Sequence, residues 1–158
     1  MGNMCKYEVR RANLDEWEDA MALAWRTFQR FEAHEYSAEG VKNFLDFISD
    51  NSLRKMFMIG EYHLWVALDG NRIIGLISLR SGRFISLLFV DEKYHKQGVG
   101  RALMETLCNY LREKNISFCT VKSSPYAVKF YHKLGFYDLE PERVEAGMRV
   151  TSMRKDIF

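Results

Sequence analysis

The sequence predicts an α/β fold of the α+β kind, a mixed and mostly antiparallel sheet flanked by helices on both faces. Three observations predict it. A short β-rich run is followed by two or three stretches of helical periodicity. The middle of the chain then switches to β-rich runs joined by tight turns. The last third alternates strand, helix, strand, helix and two closing strands.

Lys6–Arg11 reads as the first strand. Asn13 and Glu16 have capping-box spacing, and Leu14, Trp17, Met21, Ala24/Trp25, Phe28 and Phe31 then recur at helical intervals, with Trp25, Phe28 and Phe31 reading as core. Ser37 caps a second helix carrying Val41, Phe44, Leu45 and Ile48 on one face. Leu53–Ile59 is a short helix stopped by Gly60. Tyr62–Leu68 and Arg72–Leu79 flank Asp69-Gly70-Asn71, a hairpin signal, and Ser81-Gly82 turns the chain into the strand Phe84–Val90. Val99, Leu103, Leu107 and Leu111 line one face of a helix over 98–114, and Ile116–Lys122 is the next strand, so 84–122 predicts a parallel crossover. Pro125–Leu134 is a helix with Ser124 as its cap, Pro125 at its first position and Gly135 at its end. Phe136–Leu139 and Met148–Asp156 close the sheet.

The 158 residues are expected to form one domain, 1–158, with 47% apolar and 28% charged residues. A net charge of +2 gives no compositional basis for a nucleic-acid partner. No apolar run approaches the ~20 residues of a membrane span, so no membrane partner is expected. The start of the chain shows no charged segment followed by an apolar one, which points to a cytoplasmic protein. Cys5, Cys108 and Cys119 are widely spaced and suit a reducing compartment. They and the four histidines show no metal-ligand spacing, so no metal is expected.

His95-Lys96-Gln97-Gly98-Val99-Gly100-Arg101 carries the chemistry. It joins an apolar strand to a helix, where unpaired N–H groups and the positive dipole end suit a phosphate. It lacks the third glycine of a dinucleotide fingerprint, since position 103 is leucine, and the chain has no Walker lysine motif. It resembles instead the acetyl-coenzyme A loop of the GCN5-related N-acetyltransferase (GNAT) family, Gln/Arg-x-x-Gly-x-Gly/Ala. Gly98, Val99 and Gly100 match it, and His95 stands where glutamine or arginine is usual. The order of elements also matches the GNAT fold. The resemblance implies acetyl-coenzyme A as co-substrate. It places Lys96, Gln97, Gly98, Val99, Gly100 and Arg101 around the pyrophosphate, mainly through backbone N–H groups. It also sets the backbone of Leu88, Phe89 and Val90 beside the pantetheine arm, whose amides pair as an added strand would. Ser124 occupies the place of a cofactor-touching asparagine in many relatives, and equally suits a helix cap.

Ser124-Pro-Tyr-Ala-Val-Lys-Phe-Tyr131-His-Lys-Leu-Gly135-Phe136 resembles the second signature of the family. Helical aromatics are usually core, as Phe130 reads here. By the resemblance, Tyr131 is the general acid, or the hydrogen-bond donor, for the departing coenzyme A thiolate. A free phenol has a pKa of ~10 and a thiol ~8.5, so full proton transfer from an untuned tyrosine is uphill by about 2 kcal/mol. Either the site narrows that gap, or the phenol donates a hydrogen bond as charge develops.

An alkylamine acceptor with a pKa of ~10.4 must also lose a proton. Many relatives place a glutamate on the strand before the loop, and Phe84–Val90 has none. Glu32 and Glu35, with His34 and Tyr36, follow the first long helix in a region that borders the acceptor site in this family. They are candidates for the base or for acceptor binding, although a solvated helix end is the more ordinary place for such a run. Cys119 reads as a small core residue, and direct attack by the amine needs no cysteine nucleophile. The implied reaction is acetyl transfer to the primary amine of a small molecule. A protein or peptide amine, or a non-catalytic coenzyme A-binding module, stay open as alternatives. A homodimer rests on family analogy only.

Overall fold

The computed structural model describes residues 5–158, so the first four residues, part of the stretch read above for a leader, lie outside the described residues. Strand β1 (Glu8–Arg11) is followed by helices α1 (Trp17–Phe31), α2 (Ala38–Ile48) and α3 (Asn51–Met58). The strands β2 (His63–Asp69), β3 (Arg72–Arg80) and β4 (Phe84–Val90) then form a meander. Helix α4 (Val99–Glu113) leads to β5 (Phe118–Ser123) and a 3₁₀ turn at Pro125–Ala127. Helix α5 (Val128–Lys133), β6 (Tyr137–Asp138), β7 (Arg143–Glu145) and β8 (Met148–Asp156) complete the chain. The expected α/β architecture is present, with two differences. The last helix begins as a 3₁₀ turn, and β7 adds a hairpin strand that the polar run 140–147 did not announce.

The sheet order is β1-β2-β3-β4-β5-β8-β6, with β7 pairing β8. Every pairing is antiparallel except β4–β5, the expected crossover. Both faces of the sheet are covered, which is why β2 and β3 read as continuous apolar runs. On one face Trp65, Ile77, Ile85 and Val121 meet Leu103, Leu107 and Leu111 of α4. On the other, Leu64, Val66, Leu76, Leu87 and Phe89 meet Trp17, Leu23, Phe28 and Phe44 of α1 and α2. Cutting one such fully buried leucine to alanine costs about 2–5 kcal/mol. Two local signals hold as read. Glu16 accepts from the Asn13 N–H at 2.7 Å, and Ser37 Oγ accepts from the Gly40 N–H at 3.1 Å. The Ser37 hydroxyl also donates to the Gly147 carbonyl at 3.1 Å, which ties the β7–β8 hairpin to the start of α2.

One irregularity positions the site. β4 pairs with β5 only at Phe84↔Thr120 and Ile85↔Val121, and beyond Ile85 the two strands separate. On the other edge of β4, Ser78↔Leu87 is followed by Leu79↔Ile85, so Ser86 is the extra residue of a β-bulge. Bulge and separation coincide, which leaves the β5-facing edge of residues 86–90 open.

Candidate active site

Two cavities occupy the gap. The larger, about 560 Å³, is lined by Leu88, Phe89 and Val90 of β4, the turn residues His95, Lys96, Gly98, Val99, Gly100 and Arg101, and Tyr126, Ala127, Phe130, Tyr131 and Lys133. Phe31 and Glu32, at the end of α1, close it. The smaller, about 100 Å³, lies beneath the split, among Phe28, Glu32, Tyr36, Phe44, Ser86, Lys122, Ser124, Tyr131 and Met148. Glu32, Leu88, Phe89, Ala127 and Tyr131 border both, so the cavities meet at a carboxyl and a phenol.

The turn into α4 is built for an anion. Lys96 and Gly98 both take positive φ, +63° and +82°. Gly98 needs that conformation, and a Cβ there would enter open space. Gly100 is needed for a different reason, because a Cβ would stand 2.9 Å from Cζ of Phe130. The first helical bond runs from the Ala102 N–H to the Gly98 carbonyl at 3.0 Å, so the preceding N–H groups are left for a ligand. Lys96, Arg101 and Lys133 put three cations on the larger cavity, and Glu32 is its single carboxylate. An open strand edge for amides, a helix start with basic side chains for phosphates and a junction beyond them fit acetyl-coenzyme A. Lys133 was missed because a lysine at a helix end is ordinarily a solvated charge.

Most of the residues read as cofactor contacts border the larger cavity, and two do not. Gln97 turns away: its Oε1 accepts from the Tyr7 hydroxyl at 2.9 Å, and its side-chain amide donates to the Lys93 carbonyl at 3.2 Å. Ser124 borders the smaller cavity. It makes no side-chain capping bond, contrary to the capping reading, because the helix begins there as a proline-led 3₁₀ turn. Its buried Oγ lies against Glu32 and Tyr36 without a well-formed hydrogen bond to either. His95, the departure from the loop pattern, hydrogen-bonds the Val90 carbonyl at 2.8 Å. A carbonyl only accepts, so Nε2 carries the proton, and one backbone group expected to face the pantetheine arm is already engaged. Phe31 is likewise not simple core. Its ring lies between those of His95 (4.9 Å) and Tyr126 (5.2 Å) across the larger cavity.

Glu32 corrects the solvated-helix-end reading. α1 ends at Phe31, and the chain turns there so that the next side chain points inward. Burial pushes the Glu32 carboxyl up to about 7, the charge of Glu35 adds to the rise, and the Ser124 hydroxyl opposes it. Glu35 borders neither cavity, though its Oε1 is buried without a hydrogen-bond partner. Tyr36 is held protonated by burial and by both glutamates. Tyr131 is buried, its ring edge-on to Phe130 (5.6 Å) and Phe136 (5.1 Å), and no described residue hydrogen-bonds its hydroxyl. Burial, and secondarily the Glu32 charge, raise its pKa well above that of an ordinary phenol. Cys119 is core, and burial pushes its thiol up to about 12, which removes it as a nucleophile at neutral pH. Among the described residues no cluster of ligating side chains could hold a metal ion, and no helix is long and apolar enough to cross a membrane.

Comparison with known proteins agrees with this geometry. The acetyltransferase (GNAT) domain pattern matches residues 32–157. The chain is 26% identical over 142 residues to the N-acetyltransferase YafP of Escherichia coli (strain K12), covering 90% of this chain and 89% of that protein. It is 29% identical over 73 residues to the E. coli peptidyl-lysine N-acetyltransferase YiaC, covering 46% of this chain and 49% of that one. Its fold superposes on the PaiA N-acetyltransferase from Thermoplasma acidophilum, solved with coenzyme A, at a TM-score of 0.78 and 18% identity over 96% of this chain and 99% of that one. With two glycines opening α4 beside a split sheet, and a domain pattern matched over most of its length, the chain belongs to the GNAT family of N-acetyltransferases, whose co-substrate is acetyl-coenzyme A.

Proposed function

We propose that the chain transfers the acetyl group of acetyl-coenzyme A to a primary amine of a small molecule by direct attack, with Glu32 as proton acceptor and Tyr131 as hydrogen-bond donor. The observation that carries this reading is the junction of the two cavities at these two side chains. Acetyl-coenzyme A, when bound, supplies the acetyl thioester. The residues do the rest. An amine enters at neutral pH as an ammonium, and Glu32, poised at about 7, accepts its proton, freeing the nitrogen lone pair. A carboxyl with an ordinary pKa would be a far weaker base at that pH. The Tyr131 phenol borders the same junction. Because burial disfavours its ionisation, it keeps its proton and stabilises the developing thiolate by a hydrogen bond rather than by full transfer.

The size and walls of the smaller cavity support a small acceptor. About 100 Å³ among Phe28, Tyr36, Phe44 and Met148 admits a short amine with an apolar body, Glu32 attracts its charge, and Lys122, the cation of the lining, is paired with Glu145. The local similarity to a peptidyl-lysine N-acetyltransferase favours a second reading, because a lysine side chain is itself such an amine. Incubation with labelled acetyl-coenzyme A and separate pools of metabolites and peptides discriminates them. Label in small amines is the expected result, and label confined to peptides would reject the small-molecule reading.

A further inference from the structure

Behind the site lies a hydroxyl cluster that none of the chemistry above uses. The Tyr62 hydroxyl meets Ser78 Oγ at 2.7 Å and Ser86 Oγ at 2.7 Å, and the two serines meet at 2.8 Å. Three hydroxyls in a triangle can each donate once and accept once, so the ring satisfies itself. Tyr62 and Ser78 are 1% and 0% exposed, in a part of the core otherwise made of Leu64, Leu76, Leu87 and their neighbours. Ser86 is the extra residue of the β4 bulge.

We infer that Tyr62 and Ser78 are positioning residues for acetyl-coenzyme A binding: their hydroxyls hold Ser86 in the bulge, and so set the register of the open β4 edge. The inference rests on the reading that residues 88–90 receive the pantetheine arm. A bulge shifts the alternation of a strand by one residue, and a one-residue shift exchanges its two faces. Here Leu87 and Phe89 pack on the α1–α2 side, and Leu88 and Val90 on the α4 side. Backbone N–H and C=O groups alternate with the side chains. The bulge therefore decides which of residues 87–90 turn those groups into the gap left by β5. Sliding Ser86 back into the ladder would reverse that choice and break the triangle, in which the Tyr62 and Ser78 hydroxyls are buried, so the triangle resists it.

The test measures acetyl-coenzyme A binding by calorimetry, with KM and kcat, for Tyr62→Phe, Ser78→Ala, Ser78→Thr and Ser86→Ala. Losing one corner is expected to weaken acetyl-coenzyme A binding and raise its KM about tenfold. For Tyr62→Phe and Ser78→Ala, whose side chains line neither cavity, the acceptor KM should stay within about twofold, and Ser78→Thr, which keeps the hydroxyl, should restore near wild-type binding. Should Tyr62→Phe not fold, Ser86→Ala removes the partly exposed corner and poses the same question. Variants that melt lower yet bind acetyl-coenzyme A as the wild type does would overturn the inference and leave the site assignment standing. No binding by the wild type would instead overturn the pantetheine reading.

Discussion

The carboxyl of Glu32 and the phenol of Tyr131 stand at the one place where the larger and smaller cavities meet, and the charge of Glu32 adds to burial in keeping Tyr131 protonated. One group is moved towards neutral pH and the other away from it. That separation suits a proton acceptor and a hydrogen-bond donor working on opposite sides of a transfer.

Tyr131→Phe removes the proposed donor and keeps the ring packed against Phe130 and Phe136. Turnover is expected to fall about 10²-fold, the scale of one lost transition-state donor, with acetyl-coenzyme A affinity within about twofold. Steady-state kinetics and calorimetry on the same preparation check this, and unchanged turnover across pH would remove Tyr131 from the mechanism.

Glu32 carries a stability cost that its substitution should reveal. Its pKa in the fold is raised to about 7, above the ordinary carboxylate value, so its favourable contribution is fully present below pH ~4.5 and is lost as pH rises through about 7. Glu32→Gln removes the buried charge. Its melting temperature should exceed that of the wild type at pH 8 by more than at pH 5, the difference corresponding to on the order of 1–3 kcal/mol. Parallel melts at the two pH values test the sign.

Gly98→Trp combines strain at φ +82° with a large ring in the open space beside the helix start. Loss of acetyl-coenzyme A binding by at least about 10²-fold is expected, with the melting temperature lowered by the strain. NAD and ATP serve as controls for selectivity. Retained binding would mean that the phosphates lie elsewhere.

His63 gives a separate pH dependence. Arg11 donates to its Nδ1 at 2.8 Å, so Nε2 carries the proton and faces the Tyr110 oxygen at 3.3 Å. Burial, and then the charges of Arg11 and Lys114, hold its pKa below the ordinary histidine value. A depressed histidine leaves the unfolded chain binding more protons as pH falls through the ordinary value of ~6.5 and below it. The His63 contribution should therefore fall between pH 7 and pH 5, against the gain that Glu32 gives over the same range, so the melting temperature of His63→Gln should change more favourably from pH 7 to pH 5 than that of the wild type. An equal change in wild type and variant would contradict the depressed His63 pKa.

How much of this was legible in the sequence varies with the physics. β4 was readable to the residue, because a mostly apolar, β-rich run lies between the Ser81-Gly82 turn and Asp91. The α4 start was readable because both glycines sit where the backbone demands them, although for two different reasons. The bulge at Ser86 was not readable. It depends on hydroxyls from three separate segments, Tyr62 before β2, Ser78 in β3 and Ser86 in β4, and no local pattern encodes their meeting. The inward turn of Glu32 was hidden for a similar reason. A glutamate after a helix is ordinarily solvated, and only the packing of α1 against the split sheet reverses that. Ser124 looked like a cap because its position is one, yet its hydroxyl faces Glu32 and Tyr36.

The most direct test of the account is the pH dependence of kcat/KM for a small primary amine, wild type against Glu32→Gln at saturating acetyl-coenzyme A. Glu32 accepts a proton only when ionised, so wild-type activity should rise through a limb near pH 7. The variant should lose about 10²–10³-fold at pH 7.5, and that limb should vanish, leaving only the rise set by the amine itself. A variant that keeps the wild-type rate and the same limb would contradict the assignment of Glu32, and with it the central claim about how this site works.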